Sequence, residues 1–243
     1  MFVAEYYNKV MDTLVNLEKK EKKTIIEAGK EIAKAIEDDK LIHVFGCGHS
    51  HMLAEELFYR AGGLITINPI FDTSVMLHEG AIRSSQIEKK SGYARFVIDR
   101  YEISNGDIFL IASNSGINPY PIEMAQAAKE RGAYVIGIVS ESYRNAKSRH
   151  PENIHLSDVC DMWIDNYVEY GDASVEISND GQKAGPISSI SVFFIANSIM
   201  LSACDYLKER GANIPVLVSG NIEGGYSLNK DLLDKYKYRI KHL

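Results

Sequence analysis

Cysteine is scarce in this chain of 243 residues: there are three, Cys47, Cys160 and Cys204, and no C-x-x-C pair. An odd, scattered set excludes a disulfide framework and a zinc ribbon, and it fits a reducing compartment. Cations are not in excess. Lys and Arg number 27 against 33 Asp and Glu, a formal net charge of −6. A nucleic-acid surface needs clustered Lys and Arg, so no nucleic-acid partner is expected. No stretch approaches the roughly 18–20 consecutive apolar residues of a membrane span. The most apolar segment, 187–203, is interrupted by Ser188, Ser189, Ser191, Asn197, Ser198 and Ser202. Glu5 and Asp12 sit where a signal peptide would be uncharged and apolar, so a cytoplasmic location and no membrane partner are expected.

Three familiar motifs are missing as well. Gly46-Cys47-Gly48-His49-Ser50-His51 carries a histidine where the dinucleotide fingerprint needs its last glycine. There is no G-x-x-x-x-G-K-[ST], which argues against a P-loop ATPase or kinase. Gly48-His49-Ser50-His51-Met52 fails the G-x-S-x-G hydrolase elbow at its final position.

What the chain does have is alternation. Residues 2–19 and 21–37 read as two amphipathic helices, with Ile25, Ile26, Ile32, Ala33 and Ile36 at helical spacing. From residue 41 onward short apolar runs alternate with helical patterns. Strands are expected over 41–45, 64–68, 107–112, 134–139 and 162–165. Helices are expected at 53–61, 93–101, 119–131, 186–210 and 228–241. Residues 69–92 read as a long irregular segment, and 166–186 as a turn-rich insertion with a short strand near 174–177. This is the pattern of an α/β, doubly wound, mainly parallel sheet flanked by helices. We expect one domain over 1–243, with a helical pair at 1–40, an α/β core at 41–211 and an extension at 212–243.

Two strand-to-helix turns carry the chemistry, Gly46-Cys47-Gly48-His49-Ser50 and Ser113-Asn114-Ser115-Gly116-Ile117-Asn118. Open α/β sheets bind ligands at the C-terminal ends of their strands. Glycine lets backbone approach an anion, helix starts present free N–H groups, and serine hydroxyls donate as well. Together these form a phosphate cradle without one cationic side chain. Plain helix capping by Ser50 and Asn118 is the competing reading.

These turns resemble the G-x-G-x-S and S-x-S-G-x-[TN] turns of SIS (sugar isomerase) domains, from the N-terminus to about residue 211, and in particular those of single-domain phosphoheptose isomerase-like proteins. The resemblance implies a five-stranded parallel sheet and a phosphorylated sugar bound at the interface of a homodimer or homotetramer. It implies that Ser50, Ser113, Ser115 and Asn118 contact phosphate or sugar hydroxyls. Gly46, Gly48 and the backbone of Asn114, Gly116 and Ile117 complete the anion nest.

Aldose–ketose isomerisation through an enediol needs a base and a proton donor near the carbonyl. Phosphoheptose isomerases place a glutamate in the helix after the first turn, and here Glu55 and Glu56 occupy it. Each has a bland alternative, Glu56 paired with Arg60 and Glu55 with His51, both at i,i+4. The family's histidine in the late helix has no counterpart between 186 and 210, so His49, His51 or His78 would have to substitute. His78 and Glu79 lie in a segment that would close as a lid or form a subunit contact. His49, His51 and His78 with Glu55 are weighed as a metal site, but no metal and no cofactor is expected. His43, inside a strand, reads as a satisfied core residue. The leading expectation is a phosphosugar isomerase. A non-catalytic phosphosugar sensor is the alternative, and an amino-sugar phosphate deaminase or an etherase is a third reading.

Overall fold

The computed structural model describes residues 1–243. Helix α1 (Phe2–Asn16) runs through a π turn at Leu17–Glu21 directly into α2 (Lys22–Glu37). The expected pair is therefore one long rod. No Gly or Pro interrupts 17–21, and Leu17 is fully buried there, so the extra residue is absorbed as a π turn rather than a loop.

The chain then weaves the sheet. Strand β1 (Ile42–Gly46) leads through a single 3₁₀ turn into the short α3 (Met52–Leu57), followed by β2 (Ile67–Pro69). The expected stripe to Ala61 is cut short because Phe58 turns extended and Tyr59 adopts φ +45°. Residues 70–92 hold two 3₁₀ turns and α4 (Ala81–Glu88), and α5 (Ala94–Ile98) follows. Next come β3 (Ile108–Ala112), α6 (Pro119–Glu130), β4 (Tyr134–Val139), α7 (Leu156–Val159) and β5 (Met162–Asp165). The turn-rich insertion is an antiparallel hairpin of β6 (Ala173–Glu176) and β7 (Lys183–Pro186), succeeded by α8 (Ser188–Glu209) and α9 (Gly225–Tyr236).

All pairings in the main sheet are parallel, in the order β2-β1-β3-β4-β5. Both faces are covered, which is why the strands read as unbroken apolar runs rather than alternating ones. Residue parity divides the two cores. Ile42, Val44, Ile108, Leu110, Ile136 and Ile138 meet α2, α3 and α8 on one face. Phe45, Phe109, Ile111, Val135 and Val139 meet α5, α6 and α7 on the other.

Helix α8 is long and apolar enough by composition to cross a membrane. Here it is a core helix lying along α2, with Ile195, Ala196, Ile199 and Ala203 fully buried. The crossing is close: a Cβ at Gly29 would stand 2.5 Å from Ser202 Cβ. After α8, residues 214–218 run beside 62–65, where Ile65 N–H donates to Pro215 and Leu217 N–H to Gly63. Leu41, Ile65, Leu217, Tyr236 and Ile240 form a third, smaller core beneath this edge. Covering the β2 side leaves the sheet no free edge there.

His43 is fully buried and satisfied at both ring nitrogens. Its Nε2 meets Asp107 Oδ2 at 3.0 Å, and its Nδ1 accepts from Asn68 Nδ2 at 3.1 Å. The Asp107 carboxylate also accepts the N–H groups of Leu41 and Ser104. Burial pushes its pKa up, but these hydrogen bonds prevail and hold it below the ordinary value.

Candidate functional site

Strands β1 and β3 are neighbours, with Gly46 opposite Ala112 in the ladder. The connection leaves β1 toward β2 on one side and β3 toward β4 on the other. A crevice opens at such a reversal. The two turns singled out in the sequence follow these two strands and therefore lie side by side at that crevice.

The first turn depends on its glycines. A Cβ on Gly46 would lie 2.3 Å from the Ser50 carbonyl oxygen, so the chain folds back over a position that tolerates no side chain. Gly48 has φ +57° and open space where a Cβ would be. The N–H groups of Cys47, Gly48 and His49 serve no backbone carbonyl. In the second turn Ser113 Oγ accepts from Gly116 N–H at 3.3 Å and so shapes the loop. Gly116 takes φ +62° against Val139 and Leu156. The N–H groups of Asn114, Ser115, Ile117 and Asn118 also serve no backbone carbonyl. Two sets of free donors at adjacent strand ends are the ingredients of an anion nest.

The side chains diverge more than the backbones. His49, Ser50 and Leu53 line one cleft together with Asn114 and with Ser188, Ser189, Val192 and Phe193 of α8. The enclosed part of this cleft is only about 10 Å³, room for one water. An anion would rest at its open mouth. Ser115 lines a neighbouring cleft with Ser140, Arg144, His155 and Ser157. Asn114 Oδ1 accepts from Asn166 Nδ2 at 2.8 Å, which fixes its amide. The two α8 serines were not among the sequence candidates. Their N-terminal position on the late helix was the available signal. Asp172 steadies that start, accepting from Ile187 N–H, Ser188 N–H and Ser188 Oγ.

Asn118 does not cap α6. Its Nδ2 donates to Glu88 Oε1 at 2.7 Å, and its Oδ1 accepts from Arg149 at 2.7 Å. Arg149 N–H donates to the Ile117 carbonyl at 2.8 Å. Burial pushes the Glu88 carboxyl above its ordinary pKa, offset in part by the Asn118 hydrogen bond and by Arg149 and Lys89. Burial, with Glu88 and Asp72 nearby, raises the Cys47 thiol well above its usual range. It is a small buried residue in a tight turn rather than a nucleophile.

Both bland pairings of the glutamates occur. Glu56 pairs with Arg60, and His51 Nε2 stands 3.3 Å from Glu55 Oε1. His51 Nδ1 meets the Gly48 carbonyl, and its ring centre lies 6.5 Å from that of His78. The two carboxylates nevertheless differ. Glu55 is exposed beside His51, whereas Glu56 is half-buried on the seam between α3 and α8. It accepts from Asn197 Nδ2 at 3.0 Å, and the same amide donates to the carbonyl of Phe193, a wall of the first cleft. Leu53, another wall, lies one helical turn before Glu56. Asn197 is thus the late-helix partner of the candidate base. It is the polar non-serine within an apolar stretch. No three His, Cys, Asp or Glu side chains gather as metal ligands.

Comparison with known proteins agrees with this geometry. A sequence profile described as SIS domain matches residues 5–140. The "UPF0309 protein" of Geobacillus thermodenitrificans (strain NG80-2) is 42% identical over 98% of this chain and 96% of its own length. A UPF0309 protein of Thermoanaerobacter pseudethanolicus is 41% identical over 99% of this chain and all of its own. Among solved structures, a phosphoheptose isomerase from Francisella tularensis superposes with TM-score 0.50 at 13% identity, over 84% of this chain and 96% of that one. The Vibrio vulnificus NanR protein, complexed with ManNAc-6P, superposes with TM-score 0.53 at 15% identity, over 98% and 69%. At these identities the structural likeness concerns the fold.

Proposed function

The chain belongs to the SIS domain family, among the UPF0309 proteins, and from that premise we propose that it binds a phosphorylated sugar and interconverts its aldose and ketose forms. The observation that carries this reading is the placement of two donor-rich turns at one crevice, with the Glu56–Asn197 pair one helical turn away. The free N–H groups of residues 47–49, 114, 115, 117 and 118, with Ser50, Ser188 and Ser189, hold the phosphate. Ser113 shapes the second turn, and Ser115 serves the adjoining cleft. Glu56 is the base that moves a proton between adjacent carbons through the enediol, and Asn197 fixes its carboxylate. Glu55 and His78 gather around His51, and His49, which lines the cleft, is the proton donor to the carbonyl oxygen. The working unit is a homodimer or homotetramer, in which a partner subunit closes the open mouth of the cleft.

A second reading keeps the phosphosugar and drops the chemistry. The Arg60–Glu56 pair neutralises the candidate base, as a sensor would allow. A neighbouring fold, that of the NanR protein, is recorded with a sugar phosphate. The test has two steps. Thermal-shift screening against sugar phosphates of different lengths is expected to raise the melting temperature with at least one. A coupled isomerase assay then compares the unsubstituted protein with Glu56→Gln and Glu55→Gln. The isomerase reading expects Glu56→Gln to lose about a hundredfold or more in turnover and Glu55→Gln to lose little. A shift with nucleotides but no sugar phosphate rejects the phosphosugar site. Binding without turnover leaves the sensor.

A further inference from the structure

We propose that the cavity between the end of α3 and α9 is a second ligand site, which takes a small anion with an apolar or ring-shaped body, and that its occupant shares Arg60 with Glu56. The cavity has no lining residue in common with the phosphosugar cleft; its effect on Glu56 rests on the isomerase reading.

The cavity measures about 220 Å³. A dry cavity of about 150 Å³ is enough for benzene, so this one has room for a ring and a substituent. Its walls include Tyr59 and Arg60 after α3, Leu217 and Val218 of the covering segment, and Tyr226 and Leu233 of α9. The walls are preformed, as a ligand site requires. Gly62 N–H donates to the Leu217 carbonyl at 2.7 Å. The Asn229 amide clamps Val218 at its N–H and at its carbonyl, at 2.9 and 2.8 Å. Tyr59 is held at φ +45°, a conformation that a bulky residue keeps only where its surroundings impose it.

Charge decides what enters. Arg60 is the only charged side chain in these walls. Both of its hydrogen bonds, to the carbonyl and to the carboxylate of Glu56, use Nη1. The N–H groups on Nε and Nη2 have no partner in the chain. That edge of a guanidinium is one that a carboxylate or phosphate grips with two parallel bonds. The lysines of α9 are already paired, Lys230 with Asp234 and Lys235 with Asp39, and neither Glu223 nor Asp231 lines the cavity. An anion therefore finds one open guanidinium edge beside apolar walls, and the one carboxylate it competes with is Glu56. An ion pair as exposed as Arg60–Glu56 is weak, so a second anion on Arg60 loosens it. Glu56 keeps its hydrogen bond from Asn197 and loses the cation that neutralises it.

The test is an amide NMR titration of the full chain with benzoate, with its neutral isostere benzamide and with acetate, in the unsubstituted protein, Arg60→Gln and Arg60→Lys. Benzoate is expected to shift the amides of Val218, Gly220 and Asn229 saturably and to bind about tenfold or more tighter than benzamide or acetate. Arg60→Gln should bring benzoate down to the level of benzamide, and Arg60→Lys, which keeps the charge without the fork, should recover only part of the difference. The comparison of benzoate with benzamide needs no variant, so it holds even if a substitution harms folding. No saturable shift at residues 217–229, shifts confined to 47–49 and 114–118, or equal binding of benzoate and benzamide overturns the site. Sugar phosphates titrated in the same way report on residues 47–49 and 114–118, and their failure there removes the phosphosugar reading while leaving this cavity in place. For the link to Glu56, saturating benzoate is expected to raise the kcat of the unsubstituted protein about two- to fivefold and to leave that of Arg60→Gln unmoved. An unchanged kcat overturns the link, and absence of any turnover removes it together with the isomerase reading.

Discussion

Single residues in this protein show how neighbours decide the meaning of a side chain. His43 and Asp107 are both polar, and both lie in or beside strands. Their value is structural, because the pair and two backbone N–H groups satisfy one another in a dry core. Asp107→Ala is expected to cost about 3 kcal/mol, leaving His43, Leu41 and Ser104 donors unpaired; chemical denaturation measures it. The lowered pKa has a pH consequence. Asp107 binds its proton more weakly when folded than when unfolded, so it contributes stability above its ordinary value of about 3.8. That contribution fades as pH falls from there through the folded value. Asp107→Asn should therefore flatten the acid limb of the stability curve below about pH 4. Cys47, raised by burial, should stay unmodified by iodoacetamide in the native protein at pH 8, and alkylation without unfolding would refute its assignment as a packed turn residue.

At the scale of elements, the two turns behave differently although they look alike in sequence. The first is held by sterics. Gly46→Ala drives a Cβ into backbone at Ser50 and should cost about 2–3 kcal/mol and abolish ligand-induced stabilisation. The second is held by its φ angle. Gly116→Ala meets only ordinary van der Waals contacts, at 3.5 Å and beyond, so its cost should be about 1–2 kcal/mol, from the left-handed backbone alone. Thermal melts of the two variants separate these causes. The α2–α8 contact is a third case: Gly29→Ala should be destabilising, because the Ser202 side chain and the Ala203 backbone leave no space for a methyl. The motifs themselves were readable because Gly, Ser and Asn carry local signals. Their side-chain directions were not. Ser50 and Asn114 line one cleft, Ser115 turns to the next and Asn118 turns to Glu88.

For the molecule as a whole, apolar side chains remain in the open on α1, where Phe2, Val3, Tyr7, Met11 and Val15 are exposed, and on α8, where Phe194 and Leu201 are. If subunits associate as proposed, Met11→Glu with Val15→Glu should lower the mass measured by light scattering, and an unchanged mass would place any interface elsewhere. Parallel pairing and the two-faced core were legible in the chain, since alternating short apolar runs and glycine-ended helices are local patterns that admit few topologies. So were the positions of both turns and the i,i+4 pairings of Glu55 and Glu56. The continuous N-terminal rod, the short α3, the covered edge beyond β2 and the partners Asn197, Glu88, Arg149, Ser188 and Ser189 were not. Each of these depends on residues that lie far apart in the chain and meet only after the sheet has formed. Periodicity reports what a segment buries, and only tertiary packing decides which distant group a polar side chain finds there.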